Sequence, residues 1–538
     1  MFLILSTLWF IRTSKYILFW FYLWQLKEYH FGRFLAHFKT EKGKRLIFNP
    51  LQSFKILLAL LFLLNSVIFV WILIALYFIE AFLFFRALVN KKIKKPKATK
   101  KILFLLSISF LAIFFFPMKL FVFSQEIVWF SLYLLLFDIL TPLIVTAIVF
   151  IFQPLSVIVR NNIIRKAENK LKNIKSIYGG PIVIGITGSY GKTSTKEFLS
   201  AILSYKFKVL KTEKHQNSEI GISKCILDNL NKDHKIFVVE MGSYKKGGIK
   251  LLSDIVQPKI GIVTGVNEQH LALFGSLDNL LSAEGGRELA NALPKDGILI
   301  LNGDNKYCLD LYKKTDINKK VYTLEKNEID SDVWSDEITV KKDSLSFIVL
   351  NKEREMASFN INLFGKQNIQ NILAAILVAK QLGMSFDEIT KAMRNIKQEY
   401  SGILLKSGKH GIDIIDSSYS SNPDGVIADL EYLSIFPKKK VIIMPCLIEL
   451  GTKSAEIHEK IGKKIGKVCD LAIITTKESF REIKKGAVES GMKEKNIVFC
   501  DNPQEILTRI SIFCARGDAV LLEGRVPENL NNLLIDNH

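Results

Sequence analysis

Apolar residues are distributed in two different ways along the chain. In the first third they form long runs, roughly Phe2 to Leu26, Phe54 to Val89, Ile102 to Phe123 and Ile127 to Phe152. Each is long enough to cross a hydrocarbon core of about 30 Å at about 1.5 Å per residue, which predicts a polytopic α-helical membrane region. The run from Phe54 to Val89 is too long for one span and barely long enough for two, so four or five spans fit. From about Ile177 the texture changes to β-branched runs alternating with amphipathic stretches, the pattern of α/β units with parallel strands. Strands are predicted at Ile182 to Gly188, Ile236 to Glu240, Ile260 to Thr264 and Gly297 to Leu301. A second series follows Ser401, at Gly411 to Asp416, Lys440 to Met444, Leu471 to Thr475, Ile497 to Cys500 and Ala519 to Leu522. The fold class expected is therefore a membrane region over 1–166, a central α/β domain over 177–398 and a C-terminal α/β domain over 399–538.

Charge sharpens this division. The 538 residues carry a net +21, but residues 1–166 alone hold 21 basic and 5 acidic groups, so most of the excess sits beside the apolar runs. That placement is a topology signal, since Lys and Arg are retained in cytoplasmic loops, whereas a nucleic-acid partner calls for a basic patch on the soluble part. The stretch KKIKKPKATKK at 91–101, with Arg160, Arg165 and Lys166 after the last run, places both flanks of the final hairpin in the cytoplasm. A multi-pass protein of the cytoplasmic membrane is expected, with its α/β domains in the cytoplasm, lipid as a partner and no nucleic acid. The basic loop from Lys27 to Arg45 favours two spans within the long run. Arg12 and Lys15 interrupt the first run and must face other helices, snorkel or mark an interfacial helix, because a charge at the bilayer centre costs about 2.5–3.5 kcal/mol. The first run also lacks a basic leader and a cleavage pattern, which argues against a removable signal peptide. All six cysteines follow the apolar third with no C-x-x-C spacing, as expected of buried, reduced thiols rather than a zinc or disulfide framework.

The chemistry concentrates at predicted strand ends. Thr187, Gly188, Ser189, Tyr190, Gly191, Lys192, Thr193 and Ser194 follow one strand and open a helix. Backbone N–H groups and the helix N-terminus can surround a phosphate there, with Lys192 neutralising it and Thr193 reaching Mg²⁺. Ile186 stands where a strict phosphate-loop motif has its first glycine. Glu240 ends a second strand, where a carboxylate can hold Mg²⁺ directly or through water. His270 lies just beyond a third. A lone Glu or His in a loop is more often a solvated or satisfied polar group, but three strand ends converging on one crevice is the usual ligand position in an open parallel sheet.

These residues resemble the Mur ligase family, most closely its members that add D-alanyl-D-alanine to UDP-N-acetylmuramoyl-tripeptide. The resemblance covers about Ile182 to Pro527 and rests on ITGSYGKTSTK from Ile186, NSEIG from Asn217, EMG from Glu240, NEQHL from Asn267, GKQNIQNILAA from Gly365, DSSYSSNPDG from Asp416 and ELG from Glu449. It implies an ATP-dependent amide ligase of peptidoglycan precursor synthesis, with ATP and Mg²⁺ as cofactors. A carboxylate attacks the γ-phosphate, and an amine captures the acyl phosphate. Lys192, Glu240 and His270 would be catalytic, and Thr193, Glu240 and His270 would hold the metal. Asn368 and Asn371 would lie on the base side of the nucleotide, with Asp416 to Asn422 at the face between the two α/β domains. The partners implied are a nucleotide- or lipid-linked muropeptide and an amino donor such as D-alanyl-D-alanine.

Four residue-level substitutions depart from the resemblance. The family's carbamylated, metal-bridging lysine has no counterpart between Ser282 and Leu289, where Glu284 or Glu288 can supply an oxyanion instead. Gln367, Ser417 and Ile403 replace a histidine, a ribose-contacting aspartate and a phosphate-contacting arginine. The membrane third also stands in place of the family's uridine-nucleotide-binding domain. The alternative expectation is a non-catalytic ATP-binding membrane scaffold for envelope synthesis. An ATP-driven transporter lacks an LSGGQ-like signature, and a tyrosine kinase lacks a tyrosine cluster in its tail.

Overall fold

The computed structural model describes residues 1–538 except 39, 40, 48, 65, 91, 92, 214, 215, 327, 328, 419, 420 and 536–538. The expected cytoplasmic lysines at 91 and 92, and Tyr419 and Ser420 of the interdomain motif, thus lie outside the described residues. The chain divides into two compact units, Met1–Arg160 and Asn161–His538.

The first unit is helical: α1 (Phe2–Leu26), α2 (Phe31–Phe38), α3 (Glu41–Ile47), α4 (Pro50–Leu61), α5 (Ser66–Val89), α6 (Lys100–Phe123) and α7 (Ile127–Ile151). Among the described residues four of these helices, α1, α5, α6 and α7, are long and apolar enough to cross a membrane. The long run from Phe54 to Val89 resolves into α4 and α5. At 12 residues α4 reaches only about 18 Å, short of a full span. Its start is set by Asn49, whose side chain accepts from the Gln52 N–H, and by Pro50 in the first turn. Large apolar side chains such as Trp71, Phe82, Leu111, Phe121 and Leu143 are exposed on this unit.

The interior of the same unit is closed by four charges. Arg12 of α1 pairs with Glu80 of α5 and lies 3.7 Å from Asp138 of α7; Lys55 of α4 lies 2.7 Å from Glu80 and 2.5 Å from Asp138. All four are buried. Two cations facing two carboxylates leave no net charge, which is how such groups persist out of water. Of the two charges that interrupt the first run, Arg12 thus faces other helices, and Lys15 stays partly exposed.

The second unit holds two sheets. Its first part runs α8 (Gln153–Tyr178, within this unit from Asn161), β1 (Ile182–Thr187), α9 (Lys192–Leu203), β2 (Val209–Lys211), α10 (Glu219–Asn229), β3 (Ile236–Glu240), α11 (Gly248–Val256), β4 (Ile260–Val263), α12 (Leu271–Phe274), α13 (Leu277–Ala283), α14 (Arg287–Ala292), β5 (Ile298–Asn302), α15 (Lys306–Lys314), β6 (Lys319–Thr323), β7 (Val333–Val340), β8 (Leu345–Asn351), β9 (Met356–Ile361), α16 (Gln367–Gln381) and α17 (Phe386–Met393). The strand order is β2-β3-β1-β4-β5-β6-β7-β8-β9, parallel as far as β7 and then antiparallel through β8 and β9. The central strands are apolar without alternation because helices cover both faces, giving one core around Phe198, Ile372 and Ile376 and another around Ile222, Leu252 and Leu289. Ile164, Ala167, Leu171 and Ile174 of α8 join the second core.

The rest runs β10 (Leu404–Ser407), β11 (Asp413–Ser417), α18 (Pro423–Ser434), β12 (Lys440–Met444), α19 (Ser454–Val468), β13 (Leu471–Ile474), α20 (Phe480–Glu489), β14 (Ile497–Phe499), α21 (Pro503–Phe513), β15 (Ala519–Glu523) and α22 (Glu528–Leu534). The order is β10-β11-β15-β12-β13-β14, parallel except for β10. Every strand expected from the apolar runs is present within a residue or two at each end. Those not anticipated are β2, β6, the meander β7 to β9, and β10, which are short or carry alternating polar positions.

Candidate active site

In the first sheet β1 lies between β3 and β4, so the chain leaves β1 in opposite directions along the sheet and a crevice opens at their carboxyl ends. The phosphate-loop residues occupy this position. Gly188 and Gly191 have φ of 140° and 75°, and a side chain at either would collide with Thr264 or Asn371. These conformations turn the loop so that α9 starts at Lys192, where its first N–H groups have no partner within the helix. Thr187 is buried at the end of β1, and its carbonyl accepts from the N–H and hydroxyl of Thr264. The Lys192 ammonium bonds to the Gly188 carbonyl across the loop. Ser194 lies beside Gly402.

Two carboxylates meet the loop. Glu240 Oε2 accepts from Thr193 Oγ1 at 3.0 Å and from the fully buried Lys196 Nζ at 3.2 Å, while Asn217 Nδ2 reaches Oε1 at 3.1 Å. Burial opposes its charge, but Lys196, Lys192 and Asn217 together hold its pKa below the ordinary value. Glu284, at the end of α13, accepts from Ser189 Oγ at 2.8 Å and lies 2.9 Å from His270 Nδ1. Burial is again outweighed, here by His270, Ser189 and Lys192, and its pKa is lowered. Of the expected metal set, Thr193 and Glu240 are therefore in contact, and His270 instead faces Glu284. Among the described residues no group of three or more His, Cys, Asp or Glu is gathered at metal distance. Thr193, Glu240 and Glu284 nevertheless offer the hydroxyl and carboxylate oxygens that suit Mg²⁺.

The second sheet contributes from the other side. Asn267 Nδ2 lies 3.1 Å from Asn422 Oδ1 and 3.0 Å from Asp424 Oδ2, and Gln269 Nε2 donates to the Ser421 carbonyl at 2.7 Å. Glu449 stands 4.0 Å from His270 Nε2 and accepts through its carbonyl from the Ala272 N–H. Asn371 accepts from Thr195 at 3.2 Å. Asn368 is buried and donates to the carbonyls of Phe364 and Ser401, so its amide holds the segment before β10. The Asp416 carboxylate is engaged by Lys406 at 2.5 Å and by Ser418, which outweigh its burial and lower its pKa.

Sequence reasoning missed the functional placement of Lys196, Asn217, Asn267, Asp424 and Glu449. All five stand in motifs already quoted, Lys196 one turn beyond Lys192. Their partners come from other strand ends, which local pattern does not reveal.

Residues 186–379 match the family described as Mur ligase middle domain, and residues 404–526 match Mur ligase, glutamate ligase domain. The UDP-N-acetylmuramoyl-tripeptide--D-alanyl-D-alanine ligase of Synechocystis sp. is 30% identical over 285 residues, which is 53% of this chain and 59% of that protein. The enzyme of that name from Bacillus subtilis is 26% identical, over 66% of this chain and 76% of its own length. The structure of MurF from Acinetobacter baumannii aligns with a TM-score of 0.61 and 23% identity, covering 70% of this chain and 80% of that one. That of MurF ligase from Thermotoga maritima in complex with ADP gives 0.58 and 25%, covering 70% and 83%. The two matched regions together take in more than half of the sequence and contain the phosphate loop, Glu240, Glu284, His270 and the Asn422 face: the chain belongs to the Mur ligase family.

Proposed function

We propose that the protein is a membrane-anchored, ATP-dependent amide ligase that joins D-alanyl-D-alanine, or a similar amine, to the carboxylate of a muropeptide. The observation that carries this reading is the convergence of Ser189, Thr193, Glu240, Glu284 and His270 on the loop, facing Asn422 and Asp424 of the second sheet. Formation of an acyl phosphate demands positioning and charge neutralisation more than proton transfer. Lys192 and the start of α9 serve the phosphates, and Thr193, Glu240 and Glu284 hold the metal. His270 keeps Glu284 ionised and oriented. Magnesium, when bound, supplies Lewis-acid neutralisation of the transferring phosphoryl group. The interdomain face brings the amine to the acyl phosphate and excludes water.

The membrane reading rests on the four long apolar helices and their exposed side chains. With it goes a cytoplasmic location for the α/β unit, as the basic flanks require, and an acceptor held near the bilayer, lipid-linked in preference to nucleotide-linked. The second reading, an ATP-binding scaffold, is favoured by one observation: Gln367 and Ser417 are both tied to Asp429 rather than open to a nucleotide.

The test is Mg²⁺-dependent phosphate release by the detergent-purified full chain with muropeptide and D-alanyl-D-alanine, against Lys192→Ala. Release that needs both substrates and is lost in the variant supports the ligase. ATP binding without release under any acceptor supports the scaffold.

A further inference from the structure

The C-terminal sheet carries a second buried polar cluster. Ser417 ends β11 and Glu523 ends β15, directly paired across the two strands. Asp429 of α18 packs over them, within hydrogen-bonding reach of Glu523. Asp429 and Glu523 are 4% and 1% exposed. Ser417 donates its hydroxyl to one Asp429 oxygen, and Gln367 Nε2, from the first turn of α16, donates to the other at 3.2 Å. Ser421 lies against Gly524, beside Glu523.

Among the described residues, Ser421 Oγ and Gln367 Oε1 are shielded from solvent, and both Glu523 oxygens face Asp429, Ser417 and Ser421 with no donor at ordinary hydrogen-bond geometry. Other buried carboxylates of the unit are matched: Glu240 by Lys196, Glu284 by His270, Asp416 by Lys406, and Asp518 by the N–H groups of Lys439 and Ala515. The groups that act most strongly on Asp429 and Glu523 are each other, Ser417, Ser421 and Gln367. Two carboxylates brought together out of water repel each other and lose hydration, so such a pair is stabilised by a shared proton or by a bound cation. The available donors are all oxygen, namely two carboxylates, two hydroxyls and an amide carbonyl, which is the preference of hard divalent cations.

The geometry points to a divalent-cation site formed by Asp429, Glu523, Ser417, Ser421 and Gln367, separate from the carboxylates at the phosphate loop. Gln367 stands on the first sheet's domain and the other four on the second, so a bound cation ties the two domains together across their facing surfaces. The inference does not depend on the ligase reading.

The test is Mn²⁺ titration followed by electron paramagnetic resonance, on the nucleotide-free full chain in detergent. It compares the parent protein, Glu240→Gln, Glu523→Gln and the double variant, with Ca²⁺ as competitor. A Mn²⁺ retained by Glu240→Gln and lost in the double variant is the expected result. Gln367→Ala, which removes a partly exposed side chain, is expected to weaken that ion by about tenfold. Should Glu523→Gln fail to fold, Asp429→Asn and Gln367→Ala carry the same comparison. Mn²⁺ binding to Glu240→Gln that is absent, or indifferent to all three substitutions, overturns the site and leaves a proton or a buried water as the occupant.

Discussion

Glu284 Oε1 lies 2.9 Å from His270 Nδ1 while its other oxygen takes the Ser189 hydroxyl at 2.8 Å, so one buried carboxylate joins the loop after β4 to the phosphate loop. Glu288, the other carboxylate of the segment, accepts instead from the N–H groups of Gly247 and Lys250 and from Ser282. It caps the start of α11. Of the two carboxylates proposed to stand in for the family's missing lysine, only Glu284 faces the phosphate loop.

Glu284→Gln is expected to lower Mg²⁺-dependent phosphate release by about 10²-fold, the cost of removing one preorganised electrostatic partner. Glu288→Gln is expected to cost about 0.5–1 kcal/mol of stability through the weakened helix start and to leave release within a few-fold. Phosphate release and thermal melts on both variants decide the matter, and equal losses of release refute the assignment.

Lys196 is the chief counter-charge of the Glu240 carboxylate. Lys196→Met is expected to raise the Glu240 pKa, because burial is then less opposed. If ionised Glu240 holds the metal, the acid limb of the pH–rate profile moves to higher pH in this variant. An unmoved limb with reduced rate throughout would instead assign Lys196 a purely structural role.

The four-charge core of the first unit predicts an asymmetry. Glu80→Gln or Asp138→Asn leaves a cation buried without its match and is expected to destabilise the helices by about 3–5 kcal/mol. Removing a cation and a carboxylate together, as in Lys55→Met with Asp138→Leu, is expected to recover most of that loss. Helical unfolding in detergent, followed by circular dichroism across the single and double variants, measures both effects.

His458 is fully buried in α19. Its Nε2 accepts from the Leu447 N–H at 2.9 Å, and Nδ1 faces the Ser454 carbonyl at 2.7 Å, which fixes the neutral tautomer. Burial lowers its pKa below 6.5 despite the Ser454 bond. A depressed pKa contributes stability that is present above the unfolded value and lost as pH falls through the folded one. Stability is thus expected to decline from about pH 7 toward pH 5. The same melts on His458→Gln should lose that part of the slope, and an identical slope in the variant contradicts the account.

Much of this was legible in the chain. The apolar runs gave the four long helices of the first unit, but not α2 and α3, because length and composition alone decide whether a segment can span. The phosphate loop was legible because strand, glycine turn and helix start are contiguous between Ile182 and Leu203. The strands missed, β2 and β6 to β10, are short or half-exposed and show a weak version of the pattern.

What the sequence by itself determined is whatever depends on neighbours along the chain: the two textures, the helix starts at Asn49 and Gly191, and the β1–α9 phosphate turn. The tertiary structure decided which distant residues share a site. Arg12 meets Glu80 across 68 positions, Ser189 meets Glu284 across 95, and Ser417 meets Glu523 only because β15 inserts between β11 and β12. Local periodicity tells which face of an element is buried. Strand order and helix packing choose what that face meets, and a charge or carboxylate takes its role from that partner.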